Sequence, residues 1–478
     1  MKINNGAFVG VHAALWGVLA VGGLIRAGHW AEETRLPELR ETPLAVMPEY
    51  DYDVVVSDEQ LQRVLTKLQP PFAGRSTKIN HVDHALRFWT PEAQFTVQPM
   101  VQSKGETPES NAEASEPSRR LTGEHLRHLL TDNRLFQRVY GKQAVTLLTD
   151  EPTGVGTRVQ EGATTSSHVD HTVACLAEAG TPLSFPVFSP GRETTYRAMV
   201  EHTLRDFSLN QIEYEWSALT FALFVPPARH WRTSEGQEIS FDTLARRIMR
   251  ERQPLGVCFG NHRLHTLTVF LRVDQQEPIL SDDVKQEIHR YLLEQTAKLV
   301  AHQHPDGFWN QNWPFGKPAS AAPTDEEGDR LGDRILATGH ALEWWALAPA
   351  ELHPPRPVLA AAGQWLVREI DNLTDADTLQ YYTYLTHAGR ALALWRGKLP
   401  PEVPLGPAQQ PRAEATEPVA GKEQRQDNGE VPAASSDTKQ PANDDSLPKL
   451  QPPLESGADS DYSADGADGA DSAVGEAT

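Results

Sequence analysis

Hydrophobic residues between positions 57 and 398 form two kinds of helical pattern that alternate along the chain. In the first kind, apolar residues recur every three or four positions and charged residues fill the opposite face, which predicts helices with one exposed face. Ser57 and Ser281 precede two of these segments, where a serine can cap the first free amide groups of a helix. The predicted amphipathic helices are Asp58–Leu68, Glu124–Leu130, Arg192–Phe207, Phe241–Arg252, Asp282–His304 and Val358–Ile370.

The second kind of pattern is apolar on almost every side and begins with a cluster of polar residues. A helix of this kind is buried, because none of its faces suits water. Short strands are expected only as a ribbon near Val155–Gln160. The predicted buried helices are His81–Trp89, His168–Ala179, Glu213–Val225, His262–Val273, His340–Leu347 and His387–Trp395.

The starts of the buried helices recur at a regular spacing. His168, Glu215 and His262 follow one another at intervals of 47 residues, and the same interval separates His340 from His387. Repeats of about 40–50 residues, each one helical hairpin, are typical of helical arrays. Six exposed helices alternating with six buried ones predict an all-α fold, an (α/α)6 toroid. The alternative is an irregular all-α domain whose equal spacings are coincidental.

The amino-terminal segment 7–25 contains no charged residue and is closed by Arg26. Its nineteen residues would span about 28 Å as a helix, close to the thickness of the membrane hydrocarbon. We therefore expect a transmembrane segment within residues 1–29. Only six residues precede it, which favours an N-in signal anchor with the rest of the chain outside the cytoplasm. A cleaved signal peptide and a buried helix of a soluble protein are the alternatives.

Composition divides the remainder of the chain. Residues 30–56 are rich in Pro and Glu and are expected to form a spacer before a toroid domain at 57–398. Residues 101–119 are polar without periodicity, which predicts a disordered insert. Residues 400–478 are rich in Pro, Ala, Asp and Ser, which predicts a disordered acidic tail. The net charge of −21 excludes nucleic acid as a general partner.

Two short motifs resemble those of known toroid families. Leu299–Gln303 followed by Asp306–Trp309 resembles the L-x3-Q…G-x-W motif of terpenoid cyclases and related toroids. Gly339–Trp344 resembles the G-H-x-x-E-W element of the N-acylglucosamine 2-epimerase family. The epimerase resemblance implies that His340 acts as an acid or base beside Glu343. The D-x-D-D acid motif of squalene-type cyclases is absent from the sequence, which argues against terpenoid cyclisation.

Histidine pairs supply the candidate chemistry. The chain has 18 His, and four H-x-x-H pairs occur, so that both rings of each pair lie on one face of a helix. In a ring of helices, the starts of the buried helices would converge around one axis, and their polar side chains would share a cavity. The four pairs are His81/His84, His125/His128, His168/His171 and His262/His265.

Three roles for these side chains are open. The first is binding of a divalent metal such as zinc by His168, His171, His262 and His265, since imidazole is a common zinc ligand. The second is acid–base chemistry on a bound molecule. The third is structural hydrogen bonding inside the domain. For acid–base chemistry the candidate catalytic residues are His340, Glu343, His262 and Glu215.

Ligand contacts are expected from further polar and aromatic residues. Aromatic faces beside amides at 308–315 suit a sugar ring, whereas a packed loop is the alternative for this segment. Cys175 and Cys258 are predicted to be free thiols in apolar surroundings. The candidate ligand-binding residues are His168, His171, His265, Asp306, Trp309 and Trp313.

The sequence therefore predicts a membrane-anchored toroid that binds a small polar ligand in a cavity lined by His and Glu. A carbohydrate-active enzyme is one candidate. The alternatives are a non-catalytic envelope scaffold or interaction protein, and a terpenoid cyclase-like enzyme. The pattern leaves the oligomeric state open.

Overall fold

The structure, a computed structural model, describes residue 16 and residues 36–71, 77–95, 121–225, 230–251, 256, 258–321 and 330–406. All of them belong to the first of two units into which the chain divides, 1–412 and 413–478. Apart from residue 16, the predicted transmembrane segment 7–25 lies outside the described residues, as do the insert 101–119 and most of the predicted tail. Within the described ranges, no helix is long and apolar enough to cross a membrane.

The fold is mostly helical, as predicted. The described residues contain fourteen α-helices. They are α1 (Asp58–Lys67), α2 (Ile79–Trp89), α3 (Gly123–Thr131), α4 (Asn133–Tyr140), α5 (His171–Glu178), α6 (Tyr196–Asp206), α7 (Glu215–Phe224), α8 (Phe241–Arg250), α9 (Asn261–Gln276), α10 (Asp282–His302), α11 (Leu331–Leu347), α12 (Arg356–Asn372), α13 (Asp375–Gln380) and α14 (Tyr382–Leu394).

Local sequence signals account for several helix starts. The Ser57 hydroxyl accepts a hydrogen bond from the amide of Gln60, and the Gln60 side chain accepts one from the amide of Ser57, which completes the predicted capping box. Ser281 caps α10 by accepting a hydrogen bond from the amide of Val284. His340 and His387, expected at helix starts, lie inside α11 and α14, because each helix begins several residues earlier.

Six buried helices contact one another in cyclic order. Each of α2, α5, α7, α9, α11 and α14 packs against the next one in the sequence, and α14 packs back against α2. Every residue of α7 is buried, which agrees with its apolar pattern. The amphipathic helices α1, α3, α6, α8, α10 and α12 each pack against one of these six. We call the first group the inner helices and the second group the outer helices.

Residues 36–56, which belong to the predicted spacer, lie across the carboxyl ends of inner helices. The amide of Arg40 donates to the carbonyl of Phe224 at the end of α7, and the amide of Tyr52 donates to the carbonyl of Trp395 after α14. The Tyr50 hydroxyl donates to the carbonyl of Ala348 after α11. This segment covers the carboxyl-terminal side of the inner helices. An entrance to the space between these helices is therefore expected at their amino-terminal side.

Short antiparallel ribbons are the only sheet structure among the described residues. The pairing of β1 (Leu148–Glu151) with β2 (Gly154–Thr157) confirms the predicted ribbon near Val155. Two further ribbons were not predicted, because strands of two or three residues are too short to show an alternating pattern. They are β3 (Pro186–Phe188) with β4 (Glu193–Thr195), and β5 (Trp231–Arg232) with β6 (Glu238–Ile239).

Candidate functional site

Six aromatic side chains, one from each inner helix, contact one another in a closed cycle. Successive ring centroids lie 3.7 to 5.1 Å apart, and the shortest separation is between His340 and His387. We call this set the aromatic layer. Its members are His84, His171, Trp216, His262, His340 and His387.

Small residues bring two of these rings together. A Cβ on Gly339 would lie 2.9 Å from the backbone nitrogen of Ala388, so α11 and α14 approach each other closely at this point. His340 follows Gly339 in α11, His387 precedes Ala388 in α14, and both carry rings of the aromatic layer. Helix packing, and not local sequence, therefore sets the distance between these two imidazoles.

The imidazoles of the aromatic layer are almost completely buried, with exposures of 0–7%. Burial lowers the pKa of all five imidazoles, since a charged ring is poorly solvated inside the protein. Positive charge on Arg87 or on a neighbouring imidazole lowers the pKa of His262 and of His387 further. We therefore expect neutral imidazoles near pH 7, each with one basic nitrogen and one N–H group.

A second set of side chains lies one helical turn beyond the aromatic layer and contains paired charges. Arg87 Nη2 donates to Glu343 Oε1 at 2.8 Å, and Arg390 Nη2 donates to Glu178 Oε1 at 3.2 Å. Arg87 also pairs with Glu178, and Arg390 with Glu343. His265 Nε2 lies 3.3 Å from Glu178 Oε1. We call these five residues the charged layer.

The charged layer balances its own charges. Two guanidinium groups face two carboxylates, and each carboxylate contacts both arginines. Burial opposes ionisation of Glu343, but Arg87 and Arg390 outweigh it and hold the pKa of this carboxyl well below its usual range. The network therefore remains ionised at neutral pH, and it fills the space between the inner helices beneath the imidazoles.

Three imidazole nitrogens in the aromatic layer have no hydrogen-bond partner. They are the Nε2 atoms of His171, His340 and His387. The Nδ1 atoms of His340 and His387 face Glu343 Oε2, at 3.3 and 2.9 Å. Trp216 Nε1, in the same layer, is also without a partner. Buried polar atoms are nearly always hydrogen-bonded in proteins, so four exceptions in one cluster require an explanation.

Cys258 lies beside this cluster, on the loop that precedes α9. Cys258, Phe259 and Gly260 all have positive φ angles, of 51°, 59° and 75°. This backbone is strained at the two non-glycine residues, at a cost of about 1–2 kcal/mol each. Burial raises the pKa of the Cys258 thiol, although the residue as a whole is partly exposed. Both cysteines are free, as predicted, although Cys258 is less buried than Cys175.

Among the described residues, two groups of side chains could hold a metal ion. One is Cys258, His262 and His340, and the other is His340, Glu343 and His387. In each group, one potential ligand atom per residue lies within 4.8 Å of the others. Of the four histidines predicted as metal ligands, only His262 belongs to either group.

The predicted site residues fall into three places. His171, His262, His265, His340 and Glu343 lie in the aromatic and charged layers.

His168 lies at the edge of this cluster. Its ring centroid is 5.9 Å from that of His171, and its Nδ1 lies 3.1 Å from Glu213 Oε2. Both side chains of this pair are partly exposed. Glu215 is buried and accepts a hydrogen bond from Arg263 Nε at 2.8 Å.

Among the other predicted ligand contacts, the indole nitrogen of Trp309 has a structural partner, whereas that of Trp313 has none. Trp309 and Trp313 are buried, whereas the Asp306 side chain is exposed. Trp309 Nε1 donates to the carbonyl of Leu299 at 2.8 Å. The aromatic segment 308–315 is therefore largely a packed loop, which is the alternative that the sequence left open.

Sequence reasoning did not identify Arg87, Glu178 or Arg390. A signal for two of them was available, because the pattern of His followed three residues later by an ionisable residue occurs at 84–87, 262–265, 340–343 and 387–390. Each such pair spans both layers, since residues three apart share a helix face. The interval of 47 residues was also slightly misleading. His171 and Trp216 occupy the aromatic layer in place of His168 and Glu215.

Comparisons with protein-family models, with curated proteins and with solved structures found no match to this chain.

Proposed function

We propose that residues 57–398 form an (α/α)6 toroid that binds a small polar organic molecule above the aromatic layer, at the amino-terminal side of the inner helices. The cyclic contacts of the six inner helices, each backed by an outer helix, support the toroid. Residues 36–56 cover the opposite side, which supports an entrance at the amino-terminal side. His168, Glu213 and Cys258 are the partly exposed polar residues at this side.

The three imidazole nitrogens without a partner carry this proposal. A buried polar atom without a hydrogen bond costs about 1–3 kcal/mol of stability. A bound molecule that reaches the aromatic layer would supply the missing bonds of His171, His340 and His387. A neutral imidazole offers one donor and one acceptor nitrogen, which suits hydroxyl groups, because a hydroxyl also donates and accepts. Polyhydroxylated molecules such as sugars and sugar acids are therefore the proposed class.

The pairing of His340 with Glu343 supports acid–base chemistry on such a molecule. If Glu343 Oε2 accepts the proton of His340 Nδ1, the Nε2 atom becomes the basic nitrogen of the ring. This atom has no other partner, and it would be free to take a proton from a ligand hydroxyl. The proposed enzyme thus uses His340 as its base and Glu343 as the residue that orients it.

A thermal-shift screen tests ligand binding. We expect at least one compound from a library of monosaccharides, sugar acids and polyols to raise the Tm of the purified chain, with or without EDTA. A ligand at 100 times its Kd stabilises the folded state by about 2.7 kcal/mol. His262→Phe should abolish the shift, since it fills the aromatic layer, while His289→Phe on an outer helix should leave it unchanged.

The same screen distinguishes a ligand-binding protein from a non-catalytic scaffold. The closed charged layer favours this second candidate, because its paired side chains occupy the space between the inner helices. No shift with any compound, together with an unchanged or higher Tm of His262→Phe, would support the scaffold and contradict ligand binding.

We also propose that segment 7–25 anchors the chain in a membrane, with the domain outside the cytoplasm. Its uncharged sequence supports this arrangement. A reporter active only outside the cytoplasm, fused after residue 56, should give signal, whereas the same reporter fused after residue 6 should not. Full-length protein should require detergent for extraction. Release in soluble form, with a new amino terminus near residue 30, would instead indicate a cleaved signal peptide.

A further inference from the structure

We propose that Cys258, His262 and His340 bind a divalent transition-metal ion of the zinc class at the entrance to the aromatic layer. This inference rests on the proposed function, because the ion would lie where the small polar molecule is expected to enter. The three donors come from the loop before α9, the first turn of α9 and the middle of α11. The site is thus assembled by two neighbouring inner helices that pack against each other.

The distances suit such an ion. One potential ligand atom from each residue lies within 4.8 Å of the other two. Tetrahedral zinc with bonds of about 2.0–2.3 Å places its ligand atoms about 3.3–3.6 Å apart. To reach the ligand separations of a zinc site, the three donor atoms need to move by about 1 Å, which small rotations of the side chains provide.

The donor types select the class of metal. A thiolate and two imidazoles suit zinc, cobalt and related ions, whereas calcium and magnesium prefer oxygen ligands. His340 Nε2 is a buried nitrogen without a hydrogen-bond partner, and coordination would satisfy it. In the metal-bound chain this nitrogen is a ligand and no longer the base, so a water or hydroxide in the open position would take the proton of the ligand hydroxyl. His340 Nδ1 already faces Glu343, and a carboxylate behind a metal-bound imidazole is a common arrangement that orients the ring.

The alternative group, His340, Glu343 and His387, is less suitable. Glu343 already contacts both Arg87 and Arg390, so a cation there would lie beside two guanidinium charges. It would also compete with the ion pairs that neutralise these arginines. Cys258, His262 and His340 are outside the charged layer, so an ion bound to them leaves the ion pairs of Arg87 and Arg390 in place.

Three protein ligands leave the fourth position of a tetrahedral ion open. An open position is the hallmark of catalytic zinc sites, in which water or substrate completes the coordination. A hydroxyl group of the proposed ligand could take this position.

Cobalt(II) titration of the EDTA-treated, reduced full-length chain in detergent tests the site. We expect one equivalent of cobalt to bind with a thiolate-to-cobalt charge-transfer band in the near ultraviolet, and zinc to displace it. Cys258→Ser should abolish this band, and His262→Gln should weaken cobalt binding at least tenfold. Cys175→Ala is the matched control, since it removes the other, buried thiol and should retain the band.

Circular dichroism and the Tm of each variant show whether it has folded. Absence of the band in the wild-type chain, or its persistence in folded Cys258→Ser, would overturn the metal site. The thermal-shift screen in EDTA is independent of this result. Sugar binding without a cobalt band would refute the metal site alone, and a cobalt band without binding of any library compound would refute the proposed organic ligand alone.

Discussion

Glu343→Gln is expected to lower the free energy of unfolding by about 3–5 kcal/mol, the usual cost of breaking a buried ion pair by removing one partner. Glu343 is 1% exposed and contacts both Arg87 and Arg390. Glutamine has nearly the same shape but no charge, so the variant leaves two buried guanidinium groups with only Glu178 to balance them. Urea unfolding monitored by circular dichroism measures the change.

Two comparisons show whether charge balance is the cause. Arg246→Ala removes one side of the exposed Arg246–Glu287 pair between α8 and α10, and it should cost less than about 1 kcal/mol. The double variant Glu343→Gln/Arg390→Gln removes one charge of each sign and should be more stable than the sum of the single changes predicts. If the double variant lost as much free energy of unfolding as the two single variants together, the proposed balance of charges would be contradicted.

Gly307→Ala is expected to destabilise the domain by about 3 kcal/mol, and its position explains one of the sequence motifs. Gly307 has a φ angle of 111°, and a Cβ there would overlap the carbonyl oxygen of Ala361 in α12. Alanine therefore adds backbone strain to a steric clash that only a shift of α12 can relieve. Thermal or urea unfolding of the variant checks this expectation.

Gly316→Ala is the matched control for Gly307→Ala. Gly316 lies in the same segment and also has a positive φ, of 67°, but a Cβ there would meet no atom within 4 Å. Gly316→Ala should lower the free energy of unfolding by the backbone strain alone, about 1–2 kcal/mol. Equal decreases in the free energy of unfolding of the two variants would show that the close approach of Gly307 to α12 is unimportant.

The motif that resembles the one in terpenoid cyclases has a structural role in this domain. Gln303 Nε2 donates to the carbonyls of Gly307 and Val358, at 2.9 and 3.0 Å. Trp309 Nε1 donates to the carbonyl of Leu299. The Leu, Gln, Gly and Trp of the motif thus tie the end of α10 to the following loop and to α12. A motif with this role indicates how helices are joined and leaves the reaction undefined.

Much of the fold could be predicted from sequence because its signals are local. The cap at Ser57, the apolar surface of α7 and the amphipathic pattern of α10 each depend on residues within a few positions of one another. The candidate site was predicted in part for the same reason. His340 and Glu343 lie three residues apart on one helix, so their pairing follows from helix geometry.

The sequence alone thus determined the helices, their buried or exposed character and the histidines that they carry, since helix periodicity acts between near neighbours. Only the tertiary structure decided which side chains meet. Arg87 and Glu343 are separated by 256 positions, and no local pattern links them, yet inner-helix packing brings them to 2.8 Å. Packing of α9 against α11 likewise brings ligand atoms of Cys258 and His340 within 4.8 Å of each other, and at Gly339 the absence of a side chain lets α11 approach α14 closely.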